Sequence, residues 1–130
     1  MPRIAVVDDD PVFLELMHDL LASSAGYEVV TSARCAEAHE LVRQHRPDLV
    51  ILDLMMGRDQ IGWSVLDALR DDPETRQLPV LVCSAAVPAL MAHSAHLRDQ
   101  AARAIVKPFD IDELLATVES MLADRAGQSV

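Results

Sequence analysis

Asp8, Asp9 and Asp10 stand in a row near the amino terminus, and Asp53, Ser84 and Lys107 follow at long intervals. Carboxylates gathered within several ångströms repel one another, raise one another's pKa and destabilise a fold unless a counterion relieves them. Hard divalent cations do this, and a donor set made only of oxygen favours Mg2+ over zinc. Each residue also has a plain reading. Asp8 to Asp10 would suit a solvated helix start, where Asp is favoured, and Asp10, directly before Pro11, is read as that cap. Lys107 is either one more surface lysine or a point charge aimed into the acidic group, able to hold a phosphoryl oxygen. Ser84 is either a helix cap near Pro88 or a hydroxyl donor to the same oxygens. The choice depends on whether the fold brings them together.

The elements between these residues suggest that it does. Ile4 to Val7 is a short continuous apolar run, as in a strand buried on both faces. Pro11 can begin a helix without losing a hydrogen bond, and Phe13, Leu14, Leu16, Met17, Leu20 and Leu21 recur at helical spacing until Gly26. Residues 27–31 alternate as a strand. Residues 34–45 read as a helix with Ala38, Leu41 and Val42 on one side, broken by Pro47. Residues 48–53 form a second buried strand, and 63–70 a helix with Val65, Leu66 and Leu69 inward. Residues 72–75 are turn material. A buried strand at 79–83, an alanine-rich helix at 89–100, a strand at 104–106 and an amphipathic closing helix on Ile111, Leu114, Leu115, Val118, Met121 and Leu122 complete the pattern. Strand and helix alternate with short connections, which requires an α/β parallel sheet with helices on both faces. Such doubly wound folds bind ligands at the carboxyl ends of the strands. Asp8, Asp9, Asp10, Asp53, Ser84 and Lys107 all follow a predicted strand end.

Composition narrows the partners. The 130 residues fit one domain, here 1–124 with a short tail at 125–130. Eleven basic against 21 acidic residues give a net charge of −10, and four aromatic residues offer little stacking surface. DNA binding by this chain is therefore not expected. No run approaches the roughly 18 apolar residues of a membrane span. The amino terminus meets acid at Asp8, unlike a signal peptide. Two cysteines, Cys35 and Cys83, suit a reducing cytoplasm.

At these residues the sequence resembles the receiver domain of bacterial response regulators, the phosphoacceptor module of two-component signalling. The resemblance spans Arg3 to about Ala123. It rests on Val6-Val7-Asp8-Asp9-Asp10, Val50 to Met56, Pro79 to Ala85 and Val106-Lys107-Pro108-Phe109 in order and at family spacing. It implies a (βα)5 flavodoxin-like fold with strand order 2-1-3-4-5. It also implies that Asp53 accepts a phosphoryl group from a phosphohistidine donor and that Asp8, Asp9, Asp53 and the Met55 carbonyl hold Mg2+. Ser84 and Lys107 would bind the phosphoryl oxygens, with a cis bond between Lys107 and Pro108. The partners implied are a sensor histidine kinase or a histidine phosphotransfer protein, together with a downstream target. A homodimer through the face made by the fourth helix, fifth strand and fifth helix is a candidate assembly.

The sequence departs from the family in three places. The loop after Asp53 has Gly57 where a proline is usual, and its second glycine, Gly62, comes one residue late. Ala104 occupies the switch position three residues before Lys107, where many receivers carry Tyr or Phe. Any switch must then work without a ring at 104, for instance through the loop that follows Ser84. Met55 and Ala86 flank the expected path of attacking water, which suggests slow self-dephosphorylation. A degenerate receiver serving as a phosphorylation-independent binding module is the alternative function. A haloacid-dehalogenase-type phosphatase would want an acid where Met55 stands, and a flavodoxin-like cofactor binder would need a phosphate loop where the aspartates stand. His93 and His96 have metal-like spacing but no third ligand. His18, His39 and His45 read as surface residues, and Cys83 as an inert buried thiol.

Overall fold

A computed structural model of the chain describes residues 2–53, 62–84, 102–107 and 109–128. In chain order these form β1 (Arg3–Val7), α1 (Pro11–Ala25), β2 (Glu28–Ser32), α2 (Cys35–His45), β3 (Leu49–Leu52), α3 (Gly62–Asp71), β4 (Val80–Ser84), β5 (Ala102–Val106) and a closing helix (Ile111–Gln128). The five strands are all parallel and run in the order β2-β1-β3-β4-β5. The expected fold class and strand order are both present. The helix expected at 89–100, with His93 and His96, and all but the last residue of the loop from Met56 to Gly62 lie outside the described residues.

Successive side chains of a strand point to opposite faces, and the central strands are apolar on both. Ala5 and Val7 of β1 pack with Ala38 and Val42 of α2 and with Val65, Leu66 and Leu69 of α3. Ile4 and Val6 pack on the other face with Leu14, Met17 and Leu21 of α1 and Leu114, Val118 and Met121 of the closing helix. Two cores thus sandwich one sheet, which fixes the strand ends relative to one another.

The start of α1 follows from local chemistry. Asp10 is its N-cap, its side chain accepting the Val12 N–H at 3.0 Å, and Pro11 is the first helical residue. Gly26 ends the helix at φ +70°, a left-handed conformation that favours glycine. Leu16, placed by its spacing with the inward residues, is instead 55% exposed, because the buried stripe is the narrower one of Leu14, Met17 and Leu21. β5 begins at Ala102, before the expected start at 104. Among the described residues it pairs only with β4, at the sheet edge, and its Arg103 and Ala104 are exposed. The closing helix runs on to Gln128, through residues expected to form a tail. Polar contacts hold those last turns. Arg103 bonds Asp124 at 2.8 Å, while Arg125 donates to the Pro47 carbonyl at 3.2 Å and faces Asp48 at 3.5 Å. His39 is more than a surface residue, since its ring meets Asp72 at 2.9 Å and ties α2 to the turn after α3.

Candidate functional site

Parallel pairing delivers the acidic residues to one edge. β1 and β3 are in register with Val7 opposite Leu52, and the ladder continues one residue further on each side. The Asp8 N–H donates to the Ser32 carbonyl at 3.2 Å, and the Asp53 N–H to the Val7 carbonyl at 3.0 Å. Backbone bonds therefore hold both aspartates at the mouth of the sheet. One carboxylate oxygen each from Asp8, Asp9 and Asp53 lie within 4.8 Å of one another. Asp8 and Asp53 are buried and Asp9 is exposed, so the cluster opens outward through Asp9.

Lys107 reaches in from the end of β5. Its amine lies 2.8 Å from Asp8 and 3.6 Å from Asp53, and the side chain is 22% exposed. Of its two readings, the point charge aimed into the acids is the one realised. Asp8 is fully engaged on both oxygens: Oδ1 accepts the Asp10 N–H at 3.0 Å and Oδ2 accepts from Lys107. Burial pushes the Asp8 carboxyl above the ordinary aspartate range, and the bonds from Lys107 and Asp10 only partly offset this. Burial alone would lower the Lys107 amine, but the bond to Asp8 and the charges of Asp8 and Asp53 outweigh it and hold the amine above its usual value.

The donor set fits a hard divalent cation. Three carboxylates gather beside one ammonium, and every donor they offer is oxygen. Asp10 stays outside the cluster, as the helix cap. Ser84 ends β4 in register with Val106, one residue before Lys107, which puts its backbone at the same edge. The Ser84 side chain, Met55 and Pro108 lie outside the described residues. Ala104 sits in β5 opposite Val82.

Phe13, assigned from its spacing only to the apolar side of α1, lies beneath the site. The Lys107 amine stands 4.0 Å from the centroid of its ring, and Phe109 packs edge-on against that ring at 6.2 Å and 82°. An aromatic two residues beyond Lys107 and another in the first turn after the aspartates were the available signals. Helical periodicity alone does not distinguish a core ring from one facing a cation. Cys83 is buried, and burial raises its thiol to about 12, as suits an inert cysteine.

The family model for the response regulator receiver domain matches residues 4–119. The chain is similar to the polar-differentiation response regulator DivK of Brucella anthropi, 32% identical over 126 residues, covering 95% of this chain and 99% of that protein. Among solved structures, a Francisella response regulator receiver domain superposes with a TM-score of 0.81 at 25% identity, covering 96% of this chain and 99% of the other. The chemotaxis protein CheY4 of Vibrio cholerae does so at 0.79 and 27%, over 93% and 98%. With its strand order, its acidic edge and its inward lysine, this chain belongs to the response regulator receiver domain family, the signalling module of two-component systems.

Proposed function

We propose that this receiver accepts a phosphoryl group on Asp53 from a phosphohistidine donor and thereby changes what it binds. The observation that carries the reading is the convergence of Asp8, Asp9 and Asp53 within 4.8 Å, with the Lys107 amine reaching both buried acids. Receiver domains as a family interact with histidine kinases or histidine phosphotransfer proteins and bind Mg2+ at an acidic pocket.

The chemistry follows from charge. A carboxylate oxygen of Asp53 attacks phosphorus, the phosphorus–nitrogen bond to imidazole breaks as the new oxygen–phosphorus bond forms, and the leaving imidazole keeps that electron pair and takes a proton. Negative charge spreads over the equatorial phosphoryl oxygens in the transition state, and fixed donors aimed at them lower its energy. Lys107, 3.6 Å from Asp53, supplies an ammonium donor. The Ser84 hydroxyl is the second proposed donor. A Mg2+ ion held by Asp8, Asp9 and Asp53, with the Met55 carbonyl, would supply neutralising charge at the same oxygens. Asp8 holds the same amine at 2.8 Å.

Acetyl phosphate supplies the test as a small phosphodonor. Incubation with Mg2+ should add one phosphoryl group to the wild type and none to Asp53→Ala, and chelation should prevent labelling. Equal labelling of Asp53→Ala would remove Asp53 from the role. No labelling of a folded wild type, together with partner binding indifferent to phosphodonor, would favour the phosphorylation-independent binding module.

A further inference from the structure

We propose that Phe13 is a positioning residue for phosphoryl transfer, its ring face setting the side from which Lys107 addresses Asp53. The inference rests on the phosphoacceptor reading above and adds a residue to it. Lysine carries a point charge on a flexible four-carbon stem, and a carboxylate attracts that charge from any direction. Asp8 and Asp53 therefore fix where the Lys107 amine is drawn but not the path by which it arrives. An aromatic ring attracts a cation over its face and not at its edge. Phe13 presents that face with the Lys107 amine 4.0 Å from its centroid, so the ammonium is held by the ring together with Asp8 at 2.8 Å and Asp53 at 3.6 Å.

The ring itself is held at both ends. Its backbone lies in the first turn of α1, which the Asp10 cap fixes through the Val12 N–H and the Leu14 N–H to Asp10 carbonyl bond at 3.1 Å. It is braced by Phe109, two residues after Lys107, in a T-shaped pair at 6.2 Å and 82°. The chain segment that supplies the carboxylates thus also supplies the ring, and the segment that supplies the amine supplies its brace. Lys107 is 22% exposed, so the ring contact is partly desolvated, where such contacts are strongest.

Phe13→Leu keeps apolar bulk and removes the face, whereas Phe13→Tyr keeps both. Two readouts apply to the full chain: the rate of Mg2+-dependent phosphorylation across acetyl phosphate concentrations, and the NMR position of the Lys107 ε-methylene, which a ring face shifts upfield. The Leu variant should lose roughly tenfold in maximal rate, the size of a partly desolvated cation–π contact, with half-saturation unchanged. Its ε-methylene should return to the ordinary position, and Tyr should restore both. Should Phe13→Leu unfold, Phe13→Met takes its place. A folded Leu or Met variant that reacts at the wild-type rate, or a Tyr variant no better than Leu, overturns the role of Phe13. A wild type that takes no phosphoryl group overturns the phosphoacceptor reading itself, and the proposal with it.

Discussion

Replacing Asp53 by Asn should make the metal-free protein more stable, although it removes the proposed phosphoacceptor. In the wild type the Asp53 carboxylate lies within 4.8 Å of oxygens on both Asp8 and Asp9 and 3.6 Å from the Lys107 amine. At an effective dielectric near 20, each repulsion is worth about 3.5 kcal/mol and the attraction about 4.6 kcal/mol. Taken by themselves, these three pairs favour a neutral side chain by about 2 kcal/mol, and solvent at this open edge trims the gain to about 1–2 kcal/mol. For a chain of this length that is a rise of about 3–8 °C in Tm. Thermal and denaturant unfolding in chelator would measure it. Repeating both with Mg2+ should reverse the order, because the wild type offers the ion three carboxylates and the variant two. An Asp53→Asn protein that melts at or below the wild type in chelator would refute the charge balance on which the site is explained.

Other outcomes follow from the same contacts. Asp10→Ala removes the α1 cap but leaves the backbone N–H that serves Asp8, so it should cost about 1 kcal/mol in unfolding experiments while Mg2+ affinity holds. Asp8 titrates above the usual aspartate range, so between 3.8 and its folded value the native state binds more protons than the unfolded one. Metal-free stability contributed by this group falls as pH rises through that window, and the extra Tm gained from Mg2+ fades as pH drops back into it. Melting curves with and without Mg2+ across pH would show both signs. In a Cys35→Ser background, Cys83 should resist a disulfide reagent at neutral pH until the protein is unfolded, since its thiol lies at about 12.

The sheet edge was legible because its code is local: an apolar run long enough for a doubly buried strand, then a charged or hydroxyl residue. Val7 with Asp8 and Leu52 with Asp53 repeat that code, the shorter apolar run before Lys107 follows it on the edge strand, and parallel pairing lines up such ends. Alternation of strand and helix fixed the layers for the same reason. Where contacts come from across the fold, periodicity is blind. Nothing in the spacing of α1 separates Leu16, which faces solvent, from Leu14 and Met17, which do not. The ring of Phe13 reads as core until Lys107, 94 positions away, is placed over it. The last turns of the closing helix carry no apolar stripe and are held by Arg103–Asp124 and by Arg125 on Pro47 and Asp48, pairs only tertiary structure reveals. His39 of α2 and Asp72, in the turn after α3, meet in the same way.

The most direct measurement is chemical trapping of the phosphorylated residue. An acyl phosphate on aspartate is reduced by borohydride to homoserine, whereas a phosphate on serine, histidine or lysine leaves no such mark. After phosphorylation with Mg2+ present, peptide mass spectrometry should find homoserine at position 53 and at no other aspartate. Homoserine at Asp8 or Asp9, or phosphoprotein with none at 53, would contradict an account in which Asp53 is the acid that reacts and its neighbours are the acids that hold the counterion.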